Sequence, residues 1–529
     1  MITFDHVTFG YTENAPPVFA DVSFQVEEGE LCLVVGPTGT GKSTLLGCIN
    51  GLVPHFTGGI ASGRVTVAGR NVADSGPAQL ADVVGYVPQD PLSGFVTDEV
   101  ELELAYTMEQ LGLSDTTMRK RVTEIVDLLS LGELRSRTLT TLSAGQRQRV
   151  AIGAALTAGP RILVLDEPTS ALDPGAAEDV LSALHRLVHD LGITVLLAEH
   201  RLERVVQYAD SALLLRGQTV QHGDVAEVLE SSPVAPPVVR LGRELGWRPL
   251  PVSIRDARRR ARELREELSS LSPSEITPIA GDEVVHAHRI TVDYPGVRAV
   301  NELDLSATRG ERLVIMGRNG SGKSSLLWAL QGTGERSGGN LTVAGADPAE
   351  VKPPQRRTLA GLVPSEPTDL LYCESVDAEC AAADSSAQSP AGTSRKILDD
   401  LVDEIAGDQH PRDLSEGQRL ALALAVTLVA APPVLLLDEP TRGLDYPAKA
   451  ALARRLRSLS DAGHLIVVTT HDVEFVAEFA SRVVIMSDGE TVADGPARDV
   501  ISASPMFAPQ VAKILPGWLT VDEVVEARS

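Results

Sequence analysis

The stretch Gly36-Pro37-Thr38-Gly39-Thr40-Gly41-Lys42-Ser43-Thr44 decides the fold, and it returns as Gly317-Arg318-Asn319-Gly320-Ser321-Gly322-Lys323-Ser324-Ser325. Each copy follows an apolar run (residues 31–35 and 313–316) that reads as a buried strand. Each precedes a segment with apolar residues at helical spacing, Leu45, Leu46 and Ile49 or Leu326, Leu327 and Leu330. In such a strand–loop–helix unit the glycines let backbone N–H groups converge on one anion at the helix N-terminus. The predicted phosphate cradle is Gly36, Gly39, Gly41 and Thr44 in one copy and Gly317, Gly320, Gly322 and Ser325 in the other. Lys42 or Lys323 reaches the outer phosphates, and the hydroxyl of Ser43 or Ser324 is placed to ligate Mg²⁺. The expected ligand is a nucleoside triphosphate, bound twice.

A chain of 529 residues is too long for one ordinary core, and the duplicated motif divides it in two. A net charge of −25 disfavours a nucleic-acid partner, which normally demands a basic surface. The four cysteines (Cys32, Cys48, Cys373, Cys380) have neither C-x-x-C spacing nor a matching histidine pattern, so they read as reduced, packing thiols rather than a zinc or redox site. The N-terminus alternates as a strand and lacks the charged lead and apolar core of an export signal, so no export is expected. The one membrane-like run, residues 420–437, is split by Pro432-Pro433 into pieces well short of the ~20 residues a span needs. A soluble chain is expected, with any membrane role supplied by a partner.

Along the chain the two halves answer each other. Tyr11 and Tyr294 follow the first strand of each half. An aromatic there can stack on an adenine face or simply pack a strand end, and spacing does not separate the two. Val87-Pro88-Gln89 is matched by Val363-Pro364-Ser365. Next comes a helical, polar stretch, residues 96–131 and 375–405; the small-residue tract 381–394 within the second reads as a loose loop. Leu142-Ser143-Ala144-Gly145-Gln146 and Leu414-Ser415-Glu416-Gly417-Gln418 each read as a serine N-cap opening a helix, a second anion-binding device. Twenty-one residues after Gly145 and after Gly417 stand Asp166-Glu167 and Asp438-Glu439, each ending an apolar strand. At the carboxyl edge of an α/β sheet one acid can hold Mg²⁺ and the next can position or deprotonate water. Asp173 and Asp445 follow, and two further strands end in His200 and His471, candidates to contact the γ-phosphate.

This ordered set resembles the ATP-binding-cassette (ABC) ATPases over nearly the whole chain. The resemblance implies an α/β fold of two tandem P-loop ABC ATPase domains, each with a mixed core sheet, a helical subdomain and a short C-terminal extension. It implies ATP and Mg²⁺ as cofactors, with Ser43, Gln89 and Asp166 or Ser324 and Asp438 at the metal and Glu167, Glu439, His200 and His471 in catalysis. The halves would pair intramolecularly and head to tail. Each ATP would then lie between one half's P-loop and the other's signature residues, Ser143, Gly145 and Gln146 or Ser415, Gly417 and Gln418, with Asp173 and Asp445 alongside. Domain limits read as 1–230 and 284–503, with extensions 231–271 and 504–529 and a linker at 272–283. The first extension carries a stripe of Ile254, Ala257, Ala261, Leu264, Leu268 and Leu271 beneath several arginines, read as a docking helix with a basic face rather than a nucleic-acid arm.

Within the family, Asn50-Gly51-Leu52-Val53-Pro54-His55-Phe56, Gln89-Asp90-Pro91 and Ala198-Glu199-His200-Arg201 look like energy-coupling-factor (ECF) importer ATPases. That reading implies a transmembrane coupling subunit and a substrate-capture membrane protein as partners and no nucleic acid. It places the chain at the cytoplasmic face of the membrane, and its cargo would be a vitamin, a vitamin precursor or a transition-metal ion. A soluble F-type tandem ATPase on the ribosome and a sugar-importer ATPase are the alternatives. After the glutamine position lie Asp90, Asp98, Glu99, Glu101 and Glu103, and in the second half Glu366, Asp369, Glu374, Asp377 and Glu379. They read either as a solvated face or as receptors for arginines of the coupling subunit.

Overall fold

The computed structural model describes residues 1–170, 172–273, 281–402, 405–505 and 507–528, which form two compact units, Met1–Arg260 and Ala261–Ser529. The expected linker at 272–283 falls largely outside the described residues. The division lies earlier than expected, so residues 261–271 group with the second unit.

In the first unit, strands run in the order Thr219–Asp224, Ser211–Arg216, Leu31–Val35, Thr194–Ala198, Ile162–Asp166, Val84–Val87. Only the outermost, Thr219–Asp224, is antiparallel. Leu31–Val35, Ile162–Asp166 and Thr194–Ala198 are buried at every position, because layers cover both faces; hence their continuous apolar sequences. A second, antiparallel sheet (Phe19–Val26, Ile2–Gly10, Ile60–Val67, Arg70–Asn71) packs Phe4, Phe9, Phe19 and Phe24 against Cys32, Val34, Leu213 and Leu215. The second unit repeats the plan with sheets Ala360–Val363, Val434–Asp438, Leu465–Thr469, Arg312–Met316, Arg482–Ser487, Glu490–Pro496 and Val297–Thr308, Glu283–Tyr294, Gly338–Val343.

The helical layer of the first unit holds Val100–Gln110, Asp115–Leu128 and Ala144–Thr157, and that of the second Val376–Ala387, Thr393–Leu401 and Glu416–Leu428. The small-residue tract is not a loose loop. Its first part continues the helix to Ala387, and the turn beyond is held by buried Asp384, which accepts from the Gly392 and Ser394 N–H groups (2.7 Å each) and the Ser394 hydroxyl (2.6 Å). The composition hid this because one buried carboxylate, not periodicity, fixes the turn.

Among the described residues no helix is long and apolar enough to cross a membrane. The apolar run at 420–437 forms the end of helix Glu416–Leu428 and strand Val434–Asp438. The arginine-rich stripe is two short helices, Ile254–Arg260 and Arg262–Leu268, rather than one. Ala257, Ala261, Leu264 and Leu268 are buried in the chain itself, leaving Leu271 exposed, so this stripe is core and not a free docking face.

Candidate functional site

In each unit the phosphate loop joins a central strand, buried throughout in Leu31–Val35 and from Leu313 onward in Arg312–Met316, to a helix, Lys42–Ile49 or Lys323–Gln331. The residue before each helix, Gly41 (φ 90°) or Gly322 (φ 97°), is left-handed, and an added Cβ would strike Val18 or the Ala299 carbonyl oxygen. Both lysines are buried and folded over their loops. Lys42 Nζ donates to the Gly36 and Pro37 carbonyls (3.0 and 3.2 Å), and Lys323 Nζ to those of Gly317 and Arg318 (2.9 and 3.1 Å). Tyr11 reaches the same loop, its hydroxyl 2.9 Å from Thr44 Oγ1, and stays half exposed; Tyr294 is equally exposed at its strand end.

The carboxylates stand where strands Ile162–Asp166 and Val434–Asp438 end beside the loops. Burial pushes Asp166 above the ordinary carboxylate range, while a hydrogen bond with Ser43 and the charge of Lys42 pull it back. Asp438 is raised by burial in the same way, opposed by Thr469, whose hydroxyl lies at 2.5 Å, and by Ser324. A serine hydroxyl paired with a desolvated carboxylate is a hard-oxygen set that fits Mg²⁺, a cation that would offset the cost of holding each charge. When bound, the ion supplies neutralisation of phosphate oxygens.

Glu167 and Glu439 both adopt left-handed backbone (φ 49° and 48°), a strain of about 1–3 kcal/mol for a non-glycine residue. Each is held there by its N–H donating across to the next strand, Ala198 O or Thr469 O, at 2.9 Å. In the first unit the Glu167 carboxylate meets His200 Nε2 at 2.8 Å and accepts from Gln89 Nε2 at 3.2 Å. In the second, Glu439 meets His471 Nδ1 at 2.8 Å. Among the described residues Ser365 makes no matching contact, and the neighbouring Glu366 pairs with Arg442. A carboxylate held by an imidazole, and in the first unit by an amide as well, at a sheet's carboxyl edge can orient and deprotonate a water.

Ser143 and Ser415 cap their helices in reciprocal boxes with Gln146 and Gln418 (3.0 and 3.3 Å in each), leaving the serines exposed. Asp173 and Asp445 cap helices Pro174–His189 and Tyr446–Asp461, accepting from Ala176 and Ala448 N–H at 2.9 Å. Within each unit the structure thus gathers the loop, acidic pair and histidine; the serine turns belong to the separate helical layer.

Several supporting residues escaped the sequence reading. Glu199, raised by complete burial, accepts from the Thr169 N–H (2.8 Å) and hydroxyl (2.5 Å). Arg204 donates to the Thr169 and Leu172 carbonyls. Lys449 pairs with buried Asp472 at 2.6 Å. Arg442, standing where the first half has Ser170, was the one visible sign that a charge pair had been added.

Of the acids after the glutamine position, several are not free to meet a partner. Glu103 is buried and accepts from Val96 N–H, Thr97 N–H and the Thr97 hydroxyl (2.8–3.0 Å); Glu379 likewise accepts from Tyr372 and Cys373 N–H. Glu101, Glu366 and Asp377 pair with Arg135, Arg442 and Arg395. Asp98, Glu99, Asp369 and Glu374 remain exposed.

The sequence profile of the ABC transporter family matches residues 19–170 and 300–442. A protein of Streptomyces avermitilis named as an ABC transporter ATP-binding protein is 54% identical over the full length of both chains. A protein of the same name from Methanosarcina mazei is 31% identical over 99% of this chain and 96% of its own. A solved assembly of ribosome-bound archaeal Pelota and ABCE1 contains a chain of similar fold (TM-score 0.64, 21% identity, 94% of this chain and 80% of that one). With the family profile matched once in each half and a full-length relative at 54% identity, the chain belongs to the ABC transporter family and is a tandem ATP-binding ATPase.

Proposed function

We propose that this chain energises an ECF-type membrane importer, its two halves pairing head to tail around two ATP–Mg²⁺ sites. The observation that carries the reading is a pair of equivalent grooves between the glutamine-position loop and the helical layer. The first, about 320 Å³, is walled by Tyr86, Pro88, Pro91, Phe95, Val96 and Tyr106. The second, about 530 Å³, includes Thr358, Leu362, Leu370, Tyr372, Ala383 and Thr427. Exposed Leu92, Val96 and Tyr372 stand beside them. Two apolar-walled grooves suit two short helices from a membrane partner. In the first half the same loop carries Gln89, whose contact with Glu167 gives a docked helix a direct route to the candidate base. Glu167 and Glu439 act as the water-orienting bases, His200 and His471 hold them, and Ser43, Gln89 and Asp166, with Ser324 and Asp438, surround the metal. The cargo, a vitamin, vitamin precursor or transition-metal ion, is met by the membrane partners and not by this chain.

Purification of the native complex tests this. A small transmembrane protein should co-purify and be released when Asp98 and Glu99 are changed to lysine, with nucleotide binding retained. Co-sedimentation with ribosomes and no membrane partner would overturn it.

A further inference from the structure

In the second half Arg482 lies between two carboxylates, bidentate on Asp494 (2.6 Å to each oxygen) and 3.2 Å from Glu311. Strand register places Arg482 opposite Leu313 and Asp494 opposite Val484. The same register in the first half places Ser211 opposite Cys32 and His222 opposite Leu213. Ser211 therefore stands for Arg482, His222 for Asp494, Glu30 for Glu311 and Cys32 for Leu313. The guanidinium has gone, and an aliphatic side chain beside it has become a thiol.

Arg482 and Asp494 are thus both exchanged, for Ser211 and His222, and the residues in their place form a different set. Ligand atoms of Glu30, Cys32 and His222 all lie within 4.8 Å of one another. Glu30 is oriented by the Ser211 hydroxyl (3.2 Å) and the Glu27 N–H (3.1 Å), both on Oε1. Among the described residues the buried Nε2 of His222 has no hydrogen-bond partner. Carboxylate, thiolate and imidazole together form a borderline-soft set. We infer that Glu30, Cys32 and His222 bind a divalent transition metal, zinc foremost, where the second half uses a guanidinium. A closure of about 1 Å brings the three atoms to tetrahedral spacing, with water as fourth ligand. The Cys32 S–H proton passes to solvent as the thiolate binds. The ion would tie strand Leu31–Val35 to the edge strand Thr219–Asp224 across Ser211–Arg216, at the end of the sheet opposite the phosphate loop.

The test uses the full-length protein, stripped with a chelator and supplied with Zn²⁺, or with Co²⁺ as a spectroscopic probe, in excess Mg²⁺. One zinc equivalent should be retained, Tm should rise, and Co²⁺ should give a thiolate-to-metal charge-transfer absorption that oxygen-lined magnesium sites cannot give. Cys32→Ser and His222→Gln should each lose the equivalent and the absorption while nucleotide binding persists. Ser211→Arg combined with His222→Asp writes the second half's ion network into the first; it should fold and take up no metal. Stripped wild-type protein that binds no zinc, a cobalt form without the thiolate absorption, or undiminished uptake by the Ser211→Arg/His222→Asp protein overturns the inference.

Discussion

The two halves share a backbone plan and differ in how they hold the same glutamate. Glu167 is fixed from two sides, by Gln89 and His200, whereas Glu439 meets His471 and the serine in place of the glutamine leaves the second side to other groups. Around that difference the second half has gained ion pairs, Glu366 with Arg442 and Lys449 with Asp472, where the first has Asp90, Ser170, Ala177 and Arg201. The sheet tolerates both arrangements because its buried strands fix the backbone, and the polar groups at their ends vary over an unchanged frame. Equal folds need not be equal sites.

The largest expected effect lies in the glutamates themselves. Glu167→Gln should lower ATP hydrolysis by about 10²–10⁴-fold, as loss of a well-placed base does, and Glu439→Gln by distinctly less, in steady-state assays of the assembled complex. Equal losses would show the sites to be equivalent. In stability, Lys449→Met should cost the second unit about 3–5 kcal/mol, since Asp472 stays buried without that cation. Denaturant unfolding followed by separate probes in the two units should move only the second transition.

A smaller and sharper contrast concerns the signature glycines. A Cβ on Gly145 would lie 2.9 Å from Ala176 Cβ, whereas one on Gly417 meets Leu444 at an ordinary 3.7 Å. Gly145→Ala should therefore destabilise its own unit by about 1–3 kcal/mol through overpacking, and Gly417→Ala should leave Tm in place. Loss of ATPase activity in Gly417→Ala at unchanged Tm would then report a ligand approaching from outside its own half; full activity would count against the head-to-tail arrangement. The smallest effect is expected from Ser365→Gln, which should raise turnover modestly or lower the Mg²⁺ requirement, with Gln89→Ser doing the reverse. If neither change moves either quantity, the glutamine–serine difference is not what separates the sites.

The elements legible in the sequence are those made by neighbours in the chain. The phosphate loops, the strands ending in Asp166 and Asp438 and the serine caps at Ser143 and Ser415 each follow from contiguous residues whose turn chemistry and apolar period admit one local structure. Residues whose meaning depends on which group the fold brings against them are not legible in that way. Glu101 and Glu103 looked like one exposed acidic face, yet one is held by Arg135 and the other is buried under the N–H groups of the loop before it.

The sequence by itself determined that this is a duplicated nucleotide-binding chain, since a glycine-rich loop between an apolar run and a helix carries its own explanation. Only the tertiary structure decided how the duplicates differ. Glu30 and Cys32 lie nearly two hundred residues from His222, and Glu366 lies seventy-six from Arg442. Periodicity and spacing report what is adjacent along the chain. Which charges and ligands face one another is set by the order and register of strands, and that is fixed only when the buried sheet closes around its core.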